Sequence, residues 1–174
     1  MEWSHLFIFL GASKWDGLDQ MDDSDAMRIT YEKLYSYVRS IPKSDEEAKI
    51  LDLFDTDLHM SEIDDRVTAF LKENADRFAK LIIFYIGHGH LSEDRKLCLC
   101  LRSTLSARTD ISTYTISRLA STIYEQGSQL STLLILDCCW AAAAFEGVQL
   151  QSQTEDSLGP ELEGCIAVPE ELNV

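Results

Sequence analysis

The run Leu81-Ile82-Ile83-Phe84-Tyr85-Ile86 constrains the fold more than any other part of the sequence. It is continuously apolar and mixes β-branched with aromatic side chains, as a central strand of a parallel sheet should be. It stops at Gly87-His88-Gly89-His90. A second buried run, Leu133-Leu134-Ile135-Leu136, stops at Asp137-Cys138-Cys139. Two such strands, each running into polar and reactive residues, suggest one end of a sheet where chemistry is concentrated.

The rest of the chain fits the same architecture. His5 to Gly11 reads as a strand, and Lys49 to Phe54 as another. Between them, Met27, Tyr31, Leu34 and Val38 recur at helical spacing, which predicts a helix over about Asp25 to Arg39, capped by Ser24 or Asp22 and closed by Pro42. Ser61 and Asp64 resemble a capping box for a second helix carrying Val67, Phe70 and Leu71, with Phe78 beyond. A hairpin with Lys96 to Leu101 as one arm follows the histidines. Thr115 to Glu125 is a third helix, with Ile116, Leu119, Ala120 and Ile123 inward. The alanines after Trp140 predict a helix from Trp140 to Phe145. Gln149 to Glu163 reads as a polar loop and Gly164 to Val168 as a last strand. Strands alternating with helices give the expected fold class: α/β, an open and mostly parallel sheet flanked by helices on both faces. Residues 1–174 are expected to be a single domain.

Composition narrows the function. The net charge is −15, and from Leu119 to Val174 there is no Lys or Arg against nine Asp and Glu. Such a surface repels phosphate backbones, so no nucleic-acid partner is expected. No apolar run approaches the roughly 18 residues of a membrane helix, and Met1 to His5 lacks the basic region of a secretion signal. The expected setting is cytoplasmic, with no membrane partner. Five cysteines, an odd number, argue against a disulfide framework. Cys98 and Cys100 alternate with leucines and read as strand residues of the interior.

Neighbouring parallel strands would bring His88 and Cys139 side by side. An imidazole can take the proton of a thiol and later deliver one to a leaving amine. Backbone N–H groups of Gly89 and Cys139 are candidate oxyanion donors, since Gly89 permits close backbone approach. A helix beginning near Cys139 would favour the thiolate through its N-terminal dipole.

Tyr85-Ile86-Gly87-His88-Gly89 resembles the Tyr-(Phe/Tyr)-(Ser/Ala)-Gly-His-Gly motif of caspase-like proteases, and Leu134-Ile135-Leu136-Asp137-Cys138-Cys139-Trp140 resembles their strand ending in Asp-(Ser/Cys)-Cys-His-Ser-Gly. The interval between His88 and Cys139, 139 − 88 = 51 positions, is in line with the roughly 50 of that family. The variant is more similar to metacaspases and prokaryotic caspase homologues than to animal caspases. The resemblance implies a caspase-like fold and a cysteine endopeptidase with His88 as general base and Cys139 as nucleophile. It also implies that Asp137 lines the first specificity pocket and receives Arg or Lys, and that Cys138 packs inward. Partners implied are a protein or peptide substrate and a sensor or activator protein, in a role such as stress response or antiviral defence. This sequence departs from the family pattern at Ala141-Ala142, where Ser-Gly is usual. The family continues into a smaller C-terminal portion with more strands, which is expected to be absent or truncated here.

Three other readings compete. His88 and His90 with Cys138 and Cys139 are zinc-type ligands, but their spacing matches no common zinc pattern. No resident cofactor is therefore expected. The acidic loop of Asp16, Asp19, Asp22, Asp23 and Asp25 suggests calcium activation, yet it lacks the EF-hand order and reads more simply as a solvated loop with a helix cap. The Ala141-Ala142 departure motivates a catalytically inactive caspase-like interaction or regulatory domain.

Overall fold

The structure, a computed structural model, describes residues 4–15, 23–41, 48–105 and 112–144, and the backbone of 162–167. Five parallel strands form the main sheet in the order β2-β1-β3-β7-β8. These are β1 (His5–Gly11), β2 (Ala48–Phe54), β3 (Lys80–Ile86), β7 (Ser131–Asp137) and β8 (Leu162–Ala167). A smaller antiparallel sheet joins β4 (Gly89–Leu91), β5 (Leu97–Leu99) and β6 (Tyr114–Thr115). The helices are α1 (Asp25–Ser40), α2 (Met60–Asn74) and α3 (Ile116–Gly127).

The alternation of side chains along β1 explains the layers. Leu6, Ile8 and Leu10 face a core shared with Ile63, Val67 and Leu71 of α2 and with Leu119 and Ile123 of α3. Phe7 and Phe9 face the other way, against Phe84 of β3 and Tyr31, Leu34, Tyr35 and Val38 of α1. Helices thus cover both faces of the sheet. Each buried Leu or Phe contributes about 1.5–3 kcal/mol relative to exposure. Leu97, Leu99, Leu101 and Tyr114 belong to the larger core, so the small sheet is anchored to the α2 and α3 side.

Local signals set the helix ends, with one correction. Ser24 Oγ accepts a hydrogen bond from the Met27 N–H and is the N-cap of α1. The alternative cap Asp22 and the closing Pro42 lie outside the described residues. Helix α2 is capped by His59, not by Ser61: the Glu62 carboxylate accepts the His59 N–H at 2.9 Å. Asp64 faces another helix instead, accepting hydrogen bonds from Tyr114 and Thr122 and pairing with Arg118. A carboxylate with that many donors beside it is worth more across a helix interface than at a helix end. Phe78 is buried, but in extended backbone beyond α2.

The helix expected from Trp140 does not start there. Residues 139–142 are turns, and among the described residues helical geometry begins at Ala143, with i to i+3 bonds from Ala143 to Trp140 and from Ala144 to Ala141. Trp140 has φ of 62°, a left-handed conformation that a right-handed helix cannot contain. Phe145, the loop from Gln149 to Pro160, and Asp16, Asp19 and Asp22 lie outside the described residues. The last strand begins at Leu162, so Glu163 belongs to it and not to the loop.

Candidate functional site

Strands β3 and β7 are adjacent and parallel, with Ile86 opposite Asp137 at their carboxyl ends. His88 and Cys139 each follow that pair by two positions, on one end of the sheet. The two turns are tied together, since the Gly87 N–H donates to the Asp137 carbonyl at 3.1 Å. A Cβ built on Gly89 would stand 2.0 Å from the Cys139 carbonyl oxygen. The close approach anticipated at Gly89 is therefore contact with the backbone of Cys139.

The backbone of His88 is held from below. Tyr85 is fully buried, and its hydroxyl faces two carbonyl oxygens, that of His88 at 2.6 Å and that of Cys100 at 2.8 Å. One proton serves both acceptors. The Cys100 N–H also donates to the His88 carbonyl, at 2.9 Å. Burial raises the Tyr85 phenol well above its usual range, so it stays a donor. The His88 ring lies 4.4 Å, centroid to centroid, from the indole of Trp15. His88 is partly exposed, whereas His90 is exposed on β4 opposite Cys98. The structure thus separates the two histidines.

The cysteines also divide. Cys98, Cys100 and Cys138 are buried, and Cys139 is partly exposed. Cys138, 8% exposed, packs into the larger core beside Leu136. Burial pushes the Cys100 thiol up to about 12, with Cys98 and Cys139 nearby adding to the effect. It is an inert thiol under ordinary conditions. Cys139 itself sits in a turn, and helical geometry begins four positions later, at Ala143.

Asp137 ends β7 on the face opposite Leu136 and Cys138. Its carboxyl is half-buried, and burial raises its pKa. Among the described residues no side chain hydrogen-bonds or ion-pairs with it. No three His, Cys, Asp or Glu side chains among the described residues form a group able to hold a metal ion. No helix is long and apolar enough to cross a membrane.

Sequence reasoning did not single out Trp15, Tyr85 as a clamp, or the strained Trp140. The signal for Trp15 was present as a lone aromatic in a polar loop. Tyr85 stood only as the first residue of the quoted motif, and nothing in its apolar strand pointed to a role for its hydroxyl.

No family model and no curated protein sequence matches the chain. Solved structures do. Caspase-1 from Spodoptera frugiperda superimposes with TM-score 0.58 at 11% identity, covering 79% of this chain and 49% of that one. The structure of pro-Sf-caspase-1 gives 0.56 at 10%, over 78% and 45%. Protein GSU0716 from Geobacter sulfurreducens gives 0.54 at 13%, over 78% and 50%. The chain spans about half the length of these structures. Its fold is caspase-like.

Proposed function

We propose that this chain is the catalytic portion of a cysteine endopeptidase in which Cys139 is the nucleophile and His88 the general base. One observation carries the reading: an imidazole and a partly exposed thiol follow adjacent parallel strands of a caspase-like sheet at matching positions. In the proposed reaction His88 takes the Cys139 proton and the thiolate attacks the scissile carbonyl. The N–H groups of Gly89 and Cys139 receive the oxyanion. His88 returns the proton to the leaving amine as the C–N bond breaks, leaving a thioester. Water then adds with His88 again as base, releasing the acid and the free thiol.

Cleavage after Arg or Lys is the proposed specificity. A half-buried carboxylate that has no cationic partner among the described residues is an apt counter-ion for a basic side chain, and the chain from Leu119 onward supplies no Lys or Arg of its own. Membership among metacaspases or prokaryotic homologues, a cytoplasmic setting, a sensor or activator partner, and a role in stress or antiviral defence rest on the sequence resemblance and composition.

The test is a fluorogenic peptide panel with Arg, Lys, Asp or an apolar residue before the scissile bond, with and without calcium. Wild type would run beside Cys139→Ala and His88→Ala. Cleavage after Arg or Lys, lost in both variants, supports the whole reading. Cleavage after Asp keeps the dyad and removes the basic pocket. If a peptide-ketone probe also fails to label Cys139 in the folded, reduced protein, the inactive interaction domain takes its place.

A further inference from the structure

We infer that Trp15 is a positioning residue for His88, the wall that keeps the imidazole directed toward Cys139; this rests on the protease reading above. The sheet order supplies the first argument. Strand β3 lies between β1 and β7. The segment after β1 carries Trp15, the turn after β3 carries His88, and the turn after β7 carries Cys139. The three side chains therefore come from consecutive strands in one row, with His88 in the middle.

Ring geometry supplies the second. The indole and imidazole centroids are 4.4 Å apart with 49° between their planes, within contact distance for two aromatic rings. Trp15 is itself held, being 6% exposed and packed with Ala12, Cys100 and Met27. The His88 main chain is fixed by Tyr85 and Cys100. The indole in contact with the ring limits rotation about the imidazole side-chain bonds. A base held in a near-attack orientation keeps the proximity advantage that a swinging ring loses.

The third argument is an unfavourable feature. The Trp15 Nε1 is buried with no hydrogen-bond partner among the described residues. A buried, unsatisfied donor costs about 1–3 kcal/mol. Phenylalanine would fill much of the same space without that cost. The ring at position 15 is thus not explained by stability alone, and its contact with His88 gives it another use.

The experiment compares wild type with Trp15→Leu and Trp15→Phe. Thermal melts come first; Trp15→Phe, which deletes the unpaired donor, should melt no lower than wild type. Proton NMR of the His88 ring, assigned by His88→Asn, should show upfield ring-current shifts that vanish in Trp15→Leu. On the cleaved peptide, Trp15→Leu should lower kcat by roughly 10- to 100-fold with KM within about twofold, and Trp15→Phe should recover most of the loss. Unchanged kcat in Trp15→Leu, a loss confined to KM, or equal losses in both variants would overturn the assignment. If wild type cleaves no peptide, the protease reading fails separately, and the rate of Cys139 alkylation by iodoacetamide decides. A drop in Trp15→Leu matching that in His88→Ala supports positioning, and an unchanged rate refutes it.

Discussion

The Cys139 carbonyl oxygen lies against the Cα of Gly89, so close that a Cβ there would stand 2.0 Å away. The contact joins the two turns that carry His88 and Cys139. Both partners are backbone, which cannot move aside as a flexible side chain does. Gly89→Ala should therefore cost about 2–4 kcal/mol in urea unfolding and abolish labelling of Cys139. Gly127→Ala is the control. Its Cβ would meet Leu130 Cδ1 at 3.1 Å, a side-chain end able to shift, and stability should change by less than about 1 kcal/mol.

Tyr85→Phe removes the hydroxyl shared by the His88 and Cys100 carbonyls. The His88 carbonyl keeps the Cys100 N–H, but the buried Cys100 carbonyl loses this donor. Chemical denaturation should show a loss of about 1–2 kcal/mol. In the folded variant peptide turnover should fall as well. A stability loss with full turnover would show that the clamp serves the fold alone.

Asp137→Asn should have two effects of opposite sign. Cleavage after Arg should weaken, because the neutral amide offers no ion pair. Stability at neutral pH should rise. Burial raises the folded pKa, so the fold binds this proton more tightly than the unfolded chain does. Stability then falls as pH rises from the unfolded value of about 3.9 through the raised one, and the deficit persists at neutral pH. The melting-temperature advantage of Asp137→Asn should be present at neutral pH and close as pH falls below about 4.

Asp64 carries the reverse dependence. Burial alone would raise its pKa, but hydrogen bonds from Arg118, Tyr114 and Thr122 outweigh that, and the net shift is downward. Its stabilising effect is present above the unfolded pKa and lost as pH falls through the folded value. Asp64→Asn should cost about 1–3 kcal/mol in urea unfolding at neutral pH and progressively less in acid. Equal costs at both pH values would contradict this account.

Cys138→Ala tests the division of labour between adjacent cysteines. Cys138 fills core beside Leu136, so its loss should lower stability by about 1 kcal/mol and leave probe labelling intact. Cys139→Ala should do the opposite, abolishing labelling with little change in unfolding.

Much of the sheet was legible because strands buried on both faces are written as unbroken apolar runs. His5 to Gly11, Leu81 to Ile86 and Leu133 to Leu136 all became strands with ends near those expected. Ser24 was readable as a cap, since its hydroxyl acts on a residue three positions away. The capping role expected of Ser61 and Asp64 was misread for the converse reason. Local spacing fitted, but Asp64 is drawn to Tyr114, Arg118 and Thr122, which are distant in sequence. The alanines after Trp140 misplaced the start of helical geometry, which among the described residues is Ala143 and not Trp140. Helix propensity is worth a few tenths of a kcal/mol per residue, too little to set the conformation of a turn packed against Gly89.

The sequence by itself determined the layered α/β architecture, the strands that end in Gly-His-Gly and Asp-Cys-Cys, and the acidic, lysine- and arginine-free C-terminal portion. Those features depend on residue type and near-neighbour spacing. Tertiary structure alone decided that Gly89 touches Cys139 and that Tyr85 and Trp15 bracket His88, while the burial of Cys138 beside a partly exposed Cys139 agrees with what the resemblance implied. Those relations join residues from separate strands, and strand order and register, not local pattern, set the distances between them.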